Sequence, residues 1–421
     1  MGDLSGLAGS FVLLNRTLVN AYRSEEAVAL LEPAMEEIAD IDDEGAVVRL
    51  ATALSGAYSM HQETDRALRL VEENIGRAER LDIIDVVIEL IMRRGQLLGQ
   101  KGRNYEALAL TKGALELAEA HGLVDKAMAA RGNIGFHLTE RDPAKALAFD
   151  RETLAETRRL GMRQRMLLIL GNTSEEARFT GDWDWSITEL ASQLAGELDQ
   201  VDRAWFLGNT LVFRGWRGEA TEDDWAAWEL LTEGDNDPQS VADYLDIRAA
   251  RALGEGRLDN ARLLARESFT KVAGRSPGRE AVAARAALWS GDRVGAAEDL
   301  AAIDETGIHG PAVELRRATI RAGIAALDGQ TADAIVLYRV VRDGWRELGV
   351  LWEEALTGID LATLLDPHEP DVQAAAARSR EILTRLRAQP FLDRLEAALA
   401  RDTAAAPATP QPAGTGDRTA V

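Results

Sequence analysis

The sequence of 421 residues contains no cysteine, and this excludes a disulfide framework, thiol catalysis and cysteine-ligated metal sites. It also has no run of the ~18–20 consecutive apolar residues that a membrane-spanning helix needs. The first residues lack a basic start and a convincing cleavage site, so we expect no signal peptide. These absences favour a protein of the reducing cytoplasm.

Positive charge is scarce relative to negative charge. The chain has 48 Lys and Arg residues against 70 Asp and Glu residues, which gives a net charge of −22. A surface this acidic repels phosphate backbones and anionic lipid, so we expect neither a nucleic-acid partner nor a membrane partner. The arginine-rich stretch 158–165 is interpreted as a solvated, charge-balanced helix face rather than as a basic patch.

Sequence signatures of catalytic and metal sites are also missing. There is no GxxxxGK(S/T) phosphate loop, no HExxH metal motif and no GxSxG nucleophile motif. The five histidines are scattered, without the i,i+4 spacing that would hold a metal ion. Adjacent acids such as Glu175 and Glu176 carry little information in a chain with 70 carboxylates. We therefore expect a protein that is not an enzyme and that uses no cofactor and no metal.

A repeat of 35–40 residues runs through most of the chain. Its signature is a small residue followed by an apolar one, with a helical pattern before and after. These anchor positions are Ala27, Ala67, Ala107, Ala146, Ser186, Ala226, Ala261, Ala297 and Ala334. The intervals between them are 40, 40, 39, 40, 40, 35, 36 and 37 residues. Two helices of ~12–16 residues and two short turns fill such a period, which predicts a series of helical hairpins.

The segment 102–119 shows how one hairpin is built. Apolar residues at spacings of three, seven and three share one helix face, and they are Tyr105, Leu108, Leu115 and Ala118. One hairpin cannot bury its own apolar face, so it needs a copy of itself on each side. Alternating strand patterns do not occur. The sequence therefore predicts an all-α, right-handed α-solenoid of about ten antiparallel helix pairs.

Changes of spacing and composition divide the predicted solenoid. Residues 1–232 form an N-terminal part, and the turn formers and acids of 233–240 mark the best candidate for a loop or minor boundary. Residues 241–400 continue as a C-terminal part with the shorter period. The segment 403–421 is a Pro-, Ala- and Thr-rich tail without apolar periodicity, for which we expect disorder.

The hairpin pattern matches a known repeat in particular residues. Within GRNYEALALTKGAL, the small and aromatic positions are Gly102, Tyr105, Ala107 and Ala114. Gly95 and Leu98 match in the preceding helix. The chain therefore resembles tetratricopeptide-repeat (TPR) proteins, and the resemblance implies a TPR-like helical scaffold that binds other proteins.

The end of the chain carries a second resemblance. The segments YRVVRDGWRELGVLWEEALTGIDLATLL (338–365) and AAAARSREILTRLRAQPFLDRLEAAL (374–399) resemble the C-terminal repeat region of large bacterial ATP-binding signalling regulators, of the adenylate cyclase-linked or LuxR type. The ATPase and output modules of those regulators are absent from this sequence. The resemblance implies a sensor or regulatory arm, or a fragment of such a regulator, with an ATPase or cyclase module as its partner.

Six of the nine tryptophans lie between Trp183 and Trp228. Tryptophan buries a large area and is enriched at binding hot spots, and arginines lie near these tryptophans in the sequence. An inner groove lined by both residue types would suit an acidic or extended peptide. The candidate partner-binding residues are Trp183, Trp205, Trp216, Trp225, Arg178, Arg214 and Arg217. The alternative is that these tryptophans fill gaps between helices.

Two functions fit the sequence. The first is a non-catalytic scaffold that binds a peptide or protein partner on its concave face, because stacked rigid hairpins preorganise an extended surface. The second is the sensor arm of an ATP-dependent bacterial signalling or transcriptional regulator. A scaffold should bind its partner without nucleotide, whereas a sensor arm should associate with an ATPase.

Overall fold

The computed structural model describes residues 4–20, 23–38, 43–272 and 276–401, and within these ranges the chain folds into 21 α-helices without a β-strand. The helices are α1 (Leu4–Asn20), α2 (Ser24–Ile38), α3 (Glu44–Met60), α4 (Thr64–Arg80), α5 (Ile84–Gln100), α6 (Asn104–Ala120), α7 (Val124–Thr139), α8 (Pro143–Arg159), α9 (Arg163–Thr180), α10 (Trp183–Leu194), α11 (Gln200–Trp216), α12 (Glu222–Thr232), α13 (Pro238–Gly254), α14 (Leu258–Lys271), α15 (Pro277–Ser290), α16 (Arg293–Glu305), α17 (Pro311–Leu327), α18 (Thr331–Glu347), α19 (Leu351–Leu364), α20 (Pro370–Leu386) and α21 (Gln389–Leu399). None of the helices in these ranges has both the length and the hydropathy of a membrane span.

Consecutive helices pack against each other along the chain, α12 and α13 through side chains such as Trp228 and Tyr244, and connections of two to five residues join the helices from α3 onward. Such short turns make consecutive helices antiparallel neighbours. The odd-numbered helices also contact one another from pair to pair, from α1 and α3 through to α19 and α21. We call the odd-numbered helices the inner row and the even-numbered helices the outer row. The all-α fold of stacked helix pairs that the sequence predicts is confirmed.

The repeat anchors lie on the outer row, where small residues allow close helix packing. Seven of the nine have no exposed surface: Ala27, Ala67, Ala107, Ala146, Ser186, Ala261 and Ala334. The other two were assigned one residue too late. Ala226 is exposed and Ala297 is half-buried, while the preceding residues, Trp225 and Ala296, are buried. The predicted period is therefore correct to within one residue.

Two helix boundaries follow the sequence signals closely. Gly102 has a φ angle of 76°, the left-handed geometry that ends a helix at low cost when the residue is glycine. The Asp142 carboxylate accepts a hydrogen bond from the backbone N–H of Lys145 at 3.1 Å, and Pro143 is the first residue of α8. Both boundaries therefore lie at residue types that favour a helix end and a helix start.

The buried face of α6 differs from the predicted one. The apolar stripe predicts an inward-facing Tyr105, but this side chain is 68% exposed. Its ring lies under the guanidinium of Arg141 and beside the ring of His309. The residues that α6 buries completely are small: Ala107, Thr111, Ala114 and Ala118. Close approach of helix backbones, and not a large aromatic side chain, holds α6 in the stack.

The last helices pack back onto the middle of the chain through an aromatic cluster, formed by Trp183, Trp216, Trp352 and Phe391. Trp216 of α11 stacks on Trp352 of α19, with ring centroids 4.4 Å apart. Trp183 of α10 and Phe391 of α21 meet Trp352 edge-on, at 5.0 Å and 4.7 Å. All four side chains are at most 4% exposed. Helices that are distant in sequence thus share one core.

The hydrophobic core continues across residues 233–240. One cluster of buried side chains extends from Leu154 to Ala398, and α11 packs against α13 on the other side of this segment. The division of the chain at this point stays a prediction. Residues 403–421, for which the composition predicts disorder, lie outside the described residues.

The turn between α7 and α8 caps two helices of the C-terminal repeats. The Glu140 carboxylate accepts hydrogen bonds from the hydroxyl of Ser276 and, at 3.2 Å, from the backbone N–H of Gly278, where α15 begins. The same carboxylate pairs with Arg316 of α17 at 2.6 Å. The Arg141 carbonyl accepts a hydrogen bond from the second residue of α17 at 2.9 Å. One turn therefore satisfies N–H groups that two helix starts leave unpaired.

We expect Trp216→Ala to lower the free energy of unfolding by about 3–5 kcal/mol, because it removes a buried indole from the aromatic cluster. The lost indole N–H also donates to the Ala250 carbonyl at 2.9 Å. Urea unfolding followed by circular dichroism measures the change. The matched control is Leu230→Ala, which removes a side chain that is 67% exposed and should change stability by less than about 0.5 kcal/mol. Equal losses in the two variants would contradict the assigned core.

We expect Glu140→Ala to destabilise the chain by about 1–3 kcal/mol, because it removes the carboxylate that pairs with Arg316 and accepts hydrogen bonds at the start of α15. Hydrogen exchange at the backbone N–H of Gly278 should accelerate more than exchange in the middle of α15. The control is Glu119→Ala, at an exposed position of α6. Unchanged exchange at Gly278 would show that the cap does not hold this helix start.

Candidate functional site

The inner row carries most of the charged side chains that are buried. A charge inside a protein is costly unless it is paired, so such groups mark either structural ion pairs or binding sites. The buried charged residues of the inner row are Glu176, Arg178, Glu280, Arg285, Arg316, Arg317, Glu353, Glu354 and Asp360. Among the described helices of the outer row, only Asp150 and Asp299 are comparable.

Five charged residues on α9, α13 and α15 form what we call the inner charged cluster: Glu175, Arg178, Asp243, Asp246 and Arg279. The Arg178 guanidinium donates to the Asp246 carboxylate at 3.0 Å and to the amide oxygen of Asn209 at 3.1 Å. Arg279 forms an ion pair with Asp243. Three carboxylates therefore surround two guanidinium groups.

Helical spacing explains why these residues face the same way. Glu175 and Arg178 lie three residues apart on α9, and Asp243 and Asp246 lie three residues apart on α13, so each pair shares one helix face. Arg279 belongs to the first turn of α15, which packs beside α13. The Arg178 side chain is 8% exposed and the two aspartates are each 18% exposed. The cluster is thus enclosed but reachable from solvent.

Glu175 is the unpaired member of the cluster. Burial, followed by the charge of Asp243, raises the pKa of Glu175 to about 7, although Arg178 and Arg279 oppose the shift. Within the described residues its carboxyl group has no hydrogen-bond or ion-pair partner. The Nε of Arg178 and one terminal nitrogen of Arg279 are also buried without an acceptor. The cluster therefore keeps free donors and a free carboxyl group side by side.

A pair of buried carboxyl groups adjoins the cluster. Glu176 accepts a hydrogen bond from the Thr139 hydroxyl at 2.8 Å. Asp150 fills the space beside Gly135, where a Cβ atom would lie 2.0 Å from a carboxylate oxygen. Burial raises the pKa of Asp150 to about 7, and burial together with the Asp150 charge raises the pKa of Glu176 well above its usual range. The pair therefore holds a proton near neutral pH.

The ion pairs around Arg285 have a structural role. Arg285 of α15 pairs with Glu353 at 2.9 Å and with Asp360 at 3.2 Å, both on α19. The Trp289 indole donates to Asp360 at 2.6 Å. These groups satisfy one another in the core, so they hold α15 against α19. In the part of the chain that the structure describes, no three His, Asp or Glu side chains are grouped as metal ligands.

The four tryptophans predicted to bind a partner are packed between helices. Trp183 and Trp216 belong to the aromatic cluster, and Trp225 is 2% exposed. Trp205 is half-buried against Gly171, where a Cβ atom would lie 1.9 Å from its ring. This burial agrees with the alternative that the tryptophans fill gaps between helices. Contact of these tryptophans with a partner stays a prediction.

The three predicted arginines lie in different places. Arg178 is in the inner charged cluster. Arg217 donates to a main-chain carbonyl of α20 at 3.0 Å and pairs with an aspartate of α10 at 2.8 Å. Arg214 pairs with Asp224 at 3.1 Å, beside the start of α12. The other four members of the cluster were missed from the sequence. The available signal was the charged pair spaced by three on α9 and again on α13.

Comparison with known proteins supports the fold. No protein-family model and no curated protein matches the chain. It is similar to a solved structure of a Rap protein complexed with Competence and Sporulation Factor, at 13% identity over 91% of this chain and 99% of that chain, with a TM-score of 0.52. A second similar structure is the apo form of the quorum sensor NprR from B. thuringiensis, at 9% identity, with the same coverage and a TM-score of 0.41. The likeness to the Rap structure supports a TPR-like arrangement of helix pairs.

We expect Asp150→Asn to change how stability depends on pH. A carboxyl group with a raised folded-state pKa adds stability below its unfolded pKa, and this stability is lost as the pH rises through the folded value. For Asp150 these values are 3.8 and about 7. The melting temperature of the variant minus that of the wild type should therefore rise between about pH 4 and pH 7.

The comparison cancels the titrating groups that do not interact with Asp150. Glu176 does interact with it: the variant removes the Asp150 charge that raises the pKa of Glu176, and this change adds to the same trend. Burial lowers the pKa of His137 to about 4, which opposes the trend in both proteins and cancels in the difference. Glu73→Gln on the exposed face of α4 is the matched control and should give a difference that does not vary with pH. A flat difference for Asp150→Asn as well would contradict the raised pKa.

Proposed function

We propose that this chain is a non-catalytic TPR-like scaffold that binds a peptide, or a peptide segment of a protein partner, at the inner charged cluster on its concave face. The observation that carries the proposal is the unused hydrogen-bonding capacity of this cluster. Two buried guanidinium nitrogens and the Glu175 carboxyl group have no partner within the described residues. Buried polar groups are normally satisfied, so a set of unsatisfied ones supports a ligand site.

The chemistry of the cluster suits a peptide backbone. Arg178 and Arg279 can each donate to a main-chain carbonyl or to an acidic side chain. Glu175, whose pKa is about 7, can accept from a main-chain N–H when ionised and donate to a carbonyl when protonated. An extended peptide presents both kinds of group along its length. Donors and an acceptor at one place therefore match a peptide better than they match a simple anion.

The arginines are held in place before a ligand arrives. Asp246 and Asn209 fix Arg178, and Asp243 fixes Arg279. Side chains that are already ordered lose little conformational entropy on binding, and this favours affinity. Of the two helices that carry them, α9 packs against α19, and α15 is held by the Glu140 cap. A largely preformed site of this kind supports a scaffold in which only small side-chain movements are needed to expose the buried donors to a ligand.

A bound factor in a related fold adds support. The similar Rap structure was solved as a complex with Competence and Sporulation Factor, so stacked helix pairs of this overall arrangement can hold such a ligand. We extend that behaviour to this chain as part of the proposal. The role of sensor arm for an ATP-dependent regulator stays a prediction, and it requires an ATPase or cyclase module that copurifies with the chain.

Selection of peptides from a random display library on the immobilised wild-type chain tests the proposal. The selected peptides should bind a Glu175→Gln variant at least about tenfold more weakly, since one charge-assisted hydrogen bond is lost. The melting temperature should not fall, because Glu175 has no partner within the described residues. Isothermal titration calorimetry without nucleotide gives the affinities.

The control makes the same Glu-to-Gln substitution at an exposed position of the outer row. Glu267→Gln, at an exposed position of α14, should leave the affinity unchanged. Arg279→Lys, which keeps the charge but loses the fork of donors, should weaken binding as well. Peptides that bind wild type, Glu175→Gln and Arg279→Lys equally would place the binding surface elsewhere.

A further inference from the structure

A second polar site lies apart from the members of the inner charged cluster. A cleft of about 790 Å³ separates α21 from the turns α11–α12 and α13–α14. Its lining includes Arg394 and Pro390 of α21 and Trp289 of α15, and four glycines of the two turn regions. The glycines on one wall and the alanines of α21 on the other leave space beside the guanidinium of Arg394.

Arg394 has no acidic partner in the part of the chain that the structure describes. Its guanidinium lies over the Trp289 ring, 4.6 Å from the centroid. Within the described residues it forms no ion pair and no hydrogen bond, and burial lowers its pKa with no carboxylate to oppose the shift. The chain has 70 acidic side chains for 48 basic ones, so a partly buried arginine without an acid is notable here.

The acids that line the cleft are already engaged. The Glu255 carboxylate accepts hydrogen bonds from Arg251 and Arg257, each at 2.6 Å. Asp393 accepts a hydrogen bond from the side chain of Gln389 at 2.6 Å. Neither acid neutralises the guanidinium of Arg394, so its N–H donors remain available to a molecule in the cleft.

The position of Arg394 is set by its surroundings. Trp289 beneath it is fixed by the 2.6 Å hydrogen bond from its indole to Asp360. Gly256 stands close on the other side: a Cβ atom there would lie 2.8 Å from a terminal nitrogen of Arg394, and the residue has a φ of 76°. The positive φ favours glycine at this position. The guanidinium therefore lies between the Trp289 ring and the turn at Gly256.

We propose that this cleft binds an organic anion, whose carboxylate or phosphate group pairs with the guanidinium of Arg394. A planar guanidinium forms two parallel hydrogen bonds to either group, and such bonds are stronger where water is partly excluded. The remaining volume accepts an apolar body against Pro390 and the alanines of α21. This site uses a different arginine and a different wall of the fold from the proposed peptide site, so the two proposals stand or fall separately.

Titration of the full chain with two small probes tests the inference. Benzoate and phenyl phosphate carry the two candidate anionic groups on the same ring, and benzyl alcohol is the neutral counterpart. At least one anion should bind the wild type, and the alcohol should bind more weakly. Arg394→Gln should weaken anion binding by about tenfold or more, which is the effect of losing a charge-assisted bidentate contact.

Two further variants test whether the effect is specific to the guanidinium of Arg394. Arg385→Gln makes the same charge change at an exposed position of α20 and should leave binding unchanged. Arg394→Lys keeps the charge, so it should retain part of the affinity. The anion that binds with the higher affinity identifies the group, carboxylate or phosphate, that the site prefers. Equal affinity of wild type and Arg394→Gln, or no binding of either anion to the wild type at about 10 mM, would overturn the inference.

Discussion

The packing of α19 and α21 onto α9 and α11 is the contact on which the rest of the structure depends. In an open solenoid each repeat touches only its neighbours, and stability is close to a sum of neighbour terms. Here Trp352 stacks on Trp216 across many intervening helices, and Glu140 caps the start of α15 from the N-terminal half. The later repeats are therefore held in position by the earlier ones, and unfolding should be more cooperative than in an open stack.

This packing also explains the chemistry of the inner row. The helices that pack back onto the inner row bury its charged side chains. Burial of a charge is costly unless the charge is paired and hydrogen-bonded. Around Arg285 the carboxylates of Glu353 and Asp360 satisfy the charge completely. In the inner charged cluster the charges satisfy one another only in part, and Glu175 has no partner among the residues that the structure describes. The difference between the two groups separates a structural ion pair from a candidate site.

Local features could be predicted from the sequence, and long-range features could not. The helical period, the stop at Gly102 and the start at Asp142 depend on residues that are neighbours in the chain. The inward orientation predicted for Tyr105 was wrong, because the spacing of apolar residues alone does not show that small residues form the buried face. Whether Trp216 fills a gap or lines a groove depends on Trp352, which sequence reasoning had no means of placing beside it. The inner charged cluster was missed for the same reason, since its members meet only after α9, α13 and α15 have packed.

The first turn of α15 connects the packing of the two halves to the candidate peptide site. Glu140 contacts Ser276 and Gly278 at the start of this turn, and the next residue, Arg279, pairs with Asp243 in the inner charged cluster. A displacement of α15 that broke the cap would also move Arg279 away from Asp243, so cap and cluster change together. A ligand that holds Arg279 must then favour the capped arrangement by the same free energy with which the cap favours the ligand. Ligand binding at the proposed site and contact between the halves would therefore be linked through one helix start.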